Sequence, residues 1–149
     1  MISETKEARS KKSIEDVSIV SEGCVYYIDP KTHDINSTFS MPNLTSISKI
    51  KEIINDDNKE VIYIFVSYSV ENQNIKIKDI KVSFIWELDI SILGIGALGK
   101  GQLQIKNMNK DLIFTSKGKK EWYEDLKVLT KDFFEKQIKK IEKQKKEWE

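Results

Sequence analysis

Residues 61–70 read Val-Ile-Tyr-Ile-Phe-Val-Ser-Tyr-Ser-Val, a run dense in β-branched and aromatic side chains. Such side chains suit the pleated, packed surface of a sheet and lose rotamer freedom in a helix. The run therefore predicts a strand in the middle of a sheet. Glu71-Asn72-Gln73-Asn74 follows as a four-residue turn, and residues 75–88 then alternate, first as Ile-Lys-Ile-Lys and later as Val82, Phe84, Trp86 and Leu88. Alternation with period two is the pattern of a strand, so a long hairpin is predicted. Everything else in the chain must be arranged around it.

Upstream, residues 16–20 and 24–29 read as two short strands about Ser21-Glu22-Gly23, a turn-prone cluster. Residues 31–43 are polar and irregular. Asn43 and Ser46 signal a helix starting near 44–46, with Ile47, Ile50, Ile53 and Ile54 spaced by threes and fours, ending at Asn55-Asp56-Asp57-Asn58. Downstream, Gly94, Gly96, Gly99 and Gly101 make the 89–101 segment bend repeatedly, and 102–106 forms one more short strand. Thr115 or Ser116 is expected to cap a final helix over 119–147. Its Trp122, Leu126, Leu129 and Phe133, then Phe134, Ile138 and Ile141, form one apolar stripe. Residues 2–12 are charged and free of breakers, which suits a short helix or an arm. The chain has no internal repeat, and its 149 residues suit a single domain with one core.

Charge narrows the function without naming it. Lys+Arg 25 against Asp+Glu 24 leaves a formal net charge of +1, so affinity for nucleic acid has to come from local clusters. The chain has no apolar run of membrane-spanning length and no apolar stretch near its N-terminus, which points to a cytoplasmic protein and away from a membrane partner. Its one cysteine, Cys24, lies in an apolar run and reads as a small buried hydrophobe.

The chemistry concentrates around the first strand pair. Side chains two apart on a strand project to the same side, so Asp29 and Lys31 share a face. Pairing of the two apolar runs carries Asp16 toward that face. Two carboxylates and an ammonium suit a divalent metal and an attacking water, the means of cutting a phosphodiester.

The segment from Ser13 to Ile47, containing "IEDVSIVSEGCVYYIDPKTHDINSTFSMPNLTSI", resembles the catalytic segment of the PD-(D/E)XK restriction-type endonucleases. There an acid heads one strand and an acid-x-lysine lies on the next. Asp16 matches the first acid, Asp29 the second, Lys31 the lysine, and Thr32 the small polar residue that often follows. The later hairpin, "ELDISILGIGALGKGQLQIKN" and the charged helix resemble the C-terminal half of type II restriction enzymes. Specific matches are confined to the three motif positions and the Phe39-Ser-Met-Pro-Asn-Leu44 phrase. Glu15 stands where the family's first motif has proline. Pro30 falls between acid and lysine, and proline belongs at strand edges or ends, so the strand is expected to be an edge there or to stop at Asp29. The resemblance implies an α+β, restriction-endonuclease-like fold, an αβββαβ unit with a mixed central sheet flanked by helices. A helix before the first acid would offer Glu4 or Glu7. It also implies Mg²⁺ held by Asp16 and Asp29, cleavage of double-stranded DNA, and a homodimer so that both strands are cut.

Other features compete for a role. Asp89 with Gln104-Ile105-Lys106 has the spacing of a family variant in which glutamine replaces the second acid; otherwise Gln104 and Lys106 line the polar face of an ordinary strand. The glycine run ending at Lys100 and Gly101 lacks the strand–loop–helix context and the ending of a nucleotide-binding loop and reads first as a flexible turn; its main functional option is contact with a DNA backbone through bare amides. Lys6, Arg9, Lys11 and Lys12 precede the first acid, where they suit phosphate contacts or a solvated arm. His33 beside the motif reads as a surface or hydrogen-bonded residue. The Lys/Glu tail from Lys136 to Glu149 reads as a solvated helix face, or as a partner helix. The function expected is a Mg²⁺-dependent type II restriction-like endonuclease with Asp16, Asp29 and Lys31 as its site and Arg9, Lys11, Lys12 and Lys100 on DNA. The alternative is a non-catalytic DNA-binding or protein-interaction module derived from such a fold.

Overall fold

A computed structural model of the chain describes residues 2–7, 17–38, 40–96, 101–108 and 112–148. Five strands form a mixed sheet in the order β1 (Ile2–Glu7), β2 (Val17–Ser21), β3 (Cys24–Asp34), β5 (Lys59–Glu71), β6 (Asn74–Phe84). β1, β2 and β3 run antiparallel in turn, β5 runs parallel to β3, and β6 returns antiparallel to β5. A parallel pair needs a crossover. Here the crossover carries β4 (Asn43–Ser46) and helix α1 (Ile47–Ile54).

The predicted hairpin is present, with β5 in the sheet interior as its composition demands, but its second strand ends at Phe84 and Ile85–Glu87 form a 3₁₀ turn where alternation was expected to run on to Leu88. Its two-residue turn has Asn72 and Gln73 both at positive φ, 51° and 63°, the twist that matches a tight hairpin. Glu22 and Gly23 turn β2 into β3 in the same way, at 50° and 80°. Residues 2–7 are a strand where a helix or arm was expected. They carry no helix-start signal, and the open edge of β2 offers their amides a ladder. Asn43–Ser46 is likewise strand, and the following helix begins at Ile47 with Ser46 as its cap, accepting from the Lys49 amide at 3.4 Å.

A second, three-stranded antiparallel sheet, unforeseen in the sequence, has β8 (Gln102–Ile105) between β4 and β7 (Leu93–Gly96). Gly94 and Gly96 therefore lie in a strand rather than in a bend. The Gln104 side chain lies across Gly96, and a Cβ there would come within 2.8 Å of it. Helix α2 (Lys119–Lys146) closes the chain. Its cap is Gly118, with no side-chain bond, so neither Thr115 nor Ser116 takes that role.

The core lies on one face of the large sheet. Val61, Tyr63 and Phe65 of β5 meet Ile50 and Ile53 of α1, Leu93, Leu103 and Ile105 of the small sheet, and Trp122 and Leu126 of α2. Two polar contacts fix α2 over it. The Trp122 indole donates to the Leu88 carbonyl at 2.8 Å within the core. Lys119 donates to the carbonyls of Asp56 and Lys59 at 3.0 and 2.7 Å while lying 4.8 Å from the centre of the Trp86 ring. Among the described residues no helix is long and apolar enough to cross a membrane.

Candidate functional site

Asp29 and Lys31 sit on β3 with their side chains on one side, as the two-residue spacing requires. In the parallel register Asp29 lies beside Tyr63, Lys31 beside Phe65 and His33 beside Ser67. Tyr63 and Phe65 face the core, so the pair faces the covered side of the sheet, where Asp29 is only 6% exposed. A carboxylate taken from water needs a charged or hydrogen-bonding partner. Lys31 supplies one, its Nζ 2.7 Å from Oδ2 of Asp29. The same ammonium lies 5.9 Å from the centre of the Tyr63 ring. Lys31 keeps 22% of its side chain exposed, so the pair is reached from solvent on the lysine side.

β3 runs on through Pro30 to Asp34 and does not stop at Asp29. The β2–β3 ladder ends at the Val17–Ile28 pair, leaving the rest of β3 with β5 as its described neighbour. The Val25 amide bonds the Asn58 carbonyl and the Ile35 amide bonds the Tyr68 carbonyl, each at 2.8 Å. Odd-numbered amides therefore point at β5. Even-numbered Pro30 has its missing N–H on the other side, so the ladder to β5 loses nothing.

Two buried polar atoms near the pair have no hydrogen-bond partner among the described residues, the Tyr63 hydroxyl and Nδ1 of His33. Burial, and then the nearby Asp29 charge, push the Tyr63 phenol well above its ordinary range, so it stays protonated and able to donate. Burial likewise holds His33 below its ordinary value, with Asp34 opposing. The imidazole is half-buried rather than on the surface.

The first acid, Asp16, lies outside the described residues, as do Arg9, Lys11, Lys12 and Lys100. Glu4 is spent in an exposed ion pair with Lys6 at 2.8 Å, and nothing is described of the Glu7 side chain. Thr32 projects to the opposite face from Lys31, exposed. Among the described residues no three His, Cys, Asp or Glu side chains gather as a metal-ligand set.

The rival constellation is drawn into structural bonds. Asp89 accepts from the Ser91 amide at 2.8 Å and caps the 3₁₀ turn at 90–92. Those Ser91 bonds first, and Lys117 at longer range, hold its carboxyl below the usual value. The Gln104 amide donates to Oδ1 of Asn43 across the small sheet, and Lys106 donates to the Ser91 carbonyl at 2.9 Å.

Sequence reasoning missed Tyr63. It is one of ten residues in an apolar run, and only the β3–β5 register sets it beside Asp29. Compared with known proteins, the chain matches no family model and no curated protein.

Proposed function

We propose that this chain is a Mg²⁺-dependent endonuclease of double-stranded DNA, similar in chemistry to type II restriction enzymes. Asp29 and Lys31 stand in the reacting centre and Asp16 is the second carboxylate. The observation that carries the reading is the buried Asp29 joined to a part-exposed Lys31 on one face of one strand. Topology lends support. Three antiparallel strands, a crossover containing α1 and a fourth strand parallel to the third follow the βββαβ order of the αβββαβ unit that the resemblance implies.

The donor chemistry fits the ion. Mg²⁺ takes hard oxygen ligands and is commonly held by one or two carboxylates together with waters and substrate phosphates. Asp29 is one such carboxylate. The reading requires Asp16 to come beside it, and the chain links the two through the Val17–Ile28 pair, one residue from each. When bound, the ion supplies charge neutralisation at phosphorus and a more acidic water. Lys31 would orient an attacking water and stabilise the charge gathering on the phosphoryl oxygens as the water oxygen bonds phosphorus, the bridging P–O bond breaks, the water gives a proton to solvent and the departing oxygen takes one from it. The Tyr63 ring and β5 wall the pair on the core side and leave it open to solvent at Lys31.

The test is nicking of supercoiled plasmid. Wild-type protein should cut with Mg²⁺ and stop with EDTA. Asp29→Asn and Asp16→Asn should abolish cutting and keep most DNA binding, and Lys31→Met should slow it by about 10²-fold or more. Plasmid left intact by the wild type, or cut normally by Asp29→Asn, overturns the reading. One observation favours the alternative of a protein-interaction module: the large sheet carries an apolar face that no other described element covers. A pure interaction module would be indifferent to EDTA.

A further inference from the structure

The side chains of β6 are sorted in the opposite sense to an ordinary half-buried strand. Lys76, Asp79 and Lys81 pair with Ser69, Ser67 and Phe65, on the side of β5 that carries Phe65 and the core. Ile75, Ile77, Ile80 and Val82 pair with Val70, Tyr68, Val66 and Ile64 on the other side, and they are between 54% and 71% exposed. Strict alternation would not put these four together, since two are odd-numbered and two even. The ladder slips between Ser67 and Tyr68, leaving Lys78 as the extra residue. A bulge of this kind re-aims the side chains beyond it, and here it joins two short apolar patterns into one stripe. An antiparallel strand keeps its apolar side for an interior. This side has none among the described residues.

Helix α2 presents a second exposed apolar surface. Trp122 and Leu126 are buried against the core, but Phe134, Ile138 and Ile141 are 48%, 54% and 62% exposed. They are spaced by four and three on a face turned about 100° from the buried one, at 3.6 residues per turn. Residues 131–146 extend roughly 24 Å at 1.5 Å per residue, nearly all exposed. The helix contains no glycine or proline. Without a kink-forming residue it cannot fold back around its own sheet.

We infer that two copies of the chain pair reciprocally, each laying the projecting half of α2 across the open face of the other's large sheet. A helix stripe meeting an apolar sheet face is the ordinary way such surfaces are buried, and the exchange gives a closed two-fold dimer. At ~25 cal/mol/Å² and ~2 kcal/mol per large apolar side chain, a fully exposed side chain offers roughly 80 Å². The seven residues, 48–71% exposed, then offer on the order of 330 Å² per copy. Two copies together bury about 650 Å² of it, and neighbours on the same face such as Val70, 50% exposed, extend the contact toward the ~1,000 Å² of a specific interface. The inference goes beyond the nuclease reading and is independent of it.

The experiment is light scattering behind size exclusion on the full chain. The wild type should run as a dimer at about 10 µM, ten times a micromolar Kd. Ile138→Lys with Ile141→Lys on the arm, and Ile77→Lys with Ile80→Lys on the sheet, should each weaken dimerisation at least 100-fold. An equimolar mixture of the two variants should recover a heterodimer, because one of its two contacts is intact. Ile77→Thr with Ile80→Thr keeps β-branching and serves if the lysines disturb the strand; circular dichroism checks the fold of each variant. A wild type still monomeric at 100 µM overturns the inference. So does an arm variant that stays dimeric, which means sheet-on-sheet pairing, or a sheet variant that stays dimeric, which means helix-on-helix pairing.

Discussion

Tyr63 carries a phenol hydroxyl into the core without a hydrogen-bond partner among the described residues. A buried unpaired hydroxyl costs about 1–3 kcal/mol. The ring itself is well held, stacked on Phe65 at 5.8 Å between centroids. Tyr63→Phe should therefore leave stability unchanged or raise it by about 1 kcal/mol in urea denaturation. A loss of that size would reveal a partner for the hydroxyl, such as a bound water. His33 poses the converse case. Its imidazole sits below the ordinary value of 6.5 because burial disfavours the cation. The unfolded chain then binds the proton more readily than the folded one. The contribution is complete above pH 6.5 and is lost as pH falls below it. Replacement by glutamine should flatten that part of the stability–pH curve, measured by thermal melts between pH 7.5 and 5.

Elements in this fold are held at their ends by single contacts. Gly101, at φ +76°, accepts the Ile47 amide at 3.0 Å where α1 begins, and a Cβ there would come within 3.3 Å of the Ile47 side chain. Gly101→Ala should cost about 1–2 kcal/mol, the strain of a left-handed alanine plus the contact, read as a lower urea midpoint. At the tip of the β5–β6 hairpin, Glu71 takes bonds from Lys76, Lys78 and Ser69, which pull its carboxyl down to about 2. A depressed acid stabilises the folded state above its unfolded value, near 4.5. That support is lost as pH falls from there toward 2. Glu71→Gln should remove this acid slope, seen as amide-exchange protection factors at the tip that stay level over that window. Helix α2 divides differently from its sequence pattern. The seven apolar residues read as one stripe, but the step from Phe133 to Phe134 turns it by about 100°, so Trp122 and Leu126 meet the core while Phe134, Ile138 and Ile141 lie on another, exposed face. A count of threes and fours hides such a turn wherever two apolar residues are adjacent.

At the scale of the molecule, the core, both helices and the small sheet lie on one side of the large sheet, and among the described residues the other side is apolar and open. If two copies cover it, folding is linked to association, and the melting temperature should rise with protein concentration. Scanning calorimetry over a hundredfold concentration range tests this, and a constant midpoint speaks against it. The hairpin, the two short strands ahead of it, α1 and α2 were legible in the residues, because alternation, turn chemistry and apolar spacing are local. So was the shared face of Asp29 and Lys31, which follows from strand geometry alone. The strand at 2–7, the small sheet and the Gly118 cap were not, since each depends on what a distant segment offers. Nor did local pattern reveal the place of Tyr63 beside Asp29, the spending of Asp89, Gln104 and Lys106 on structural bonds, or the inside-out sorting of β6. Those follow from register and from one bulge, both set by how strands far apart in the chain find their lowest-energy packing.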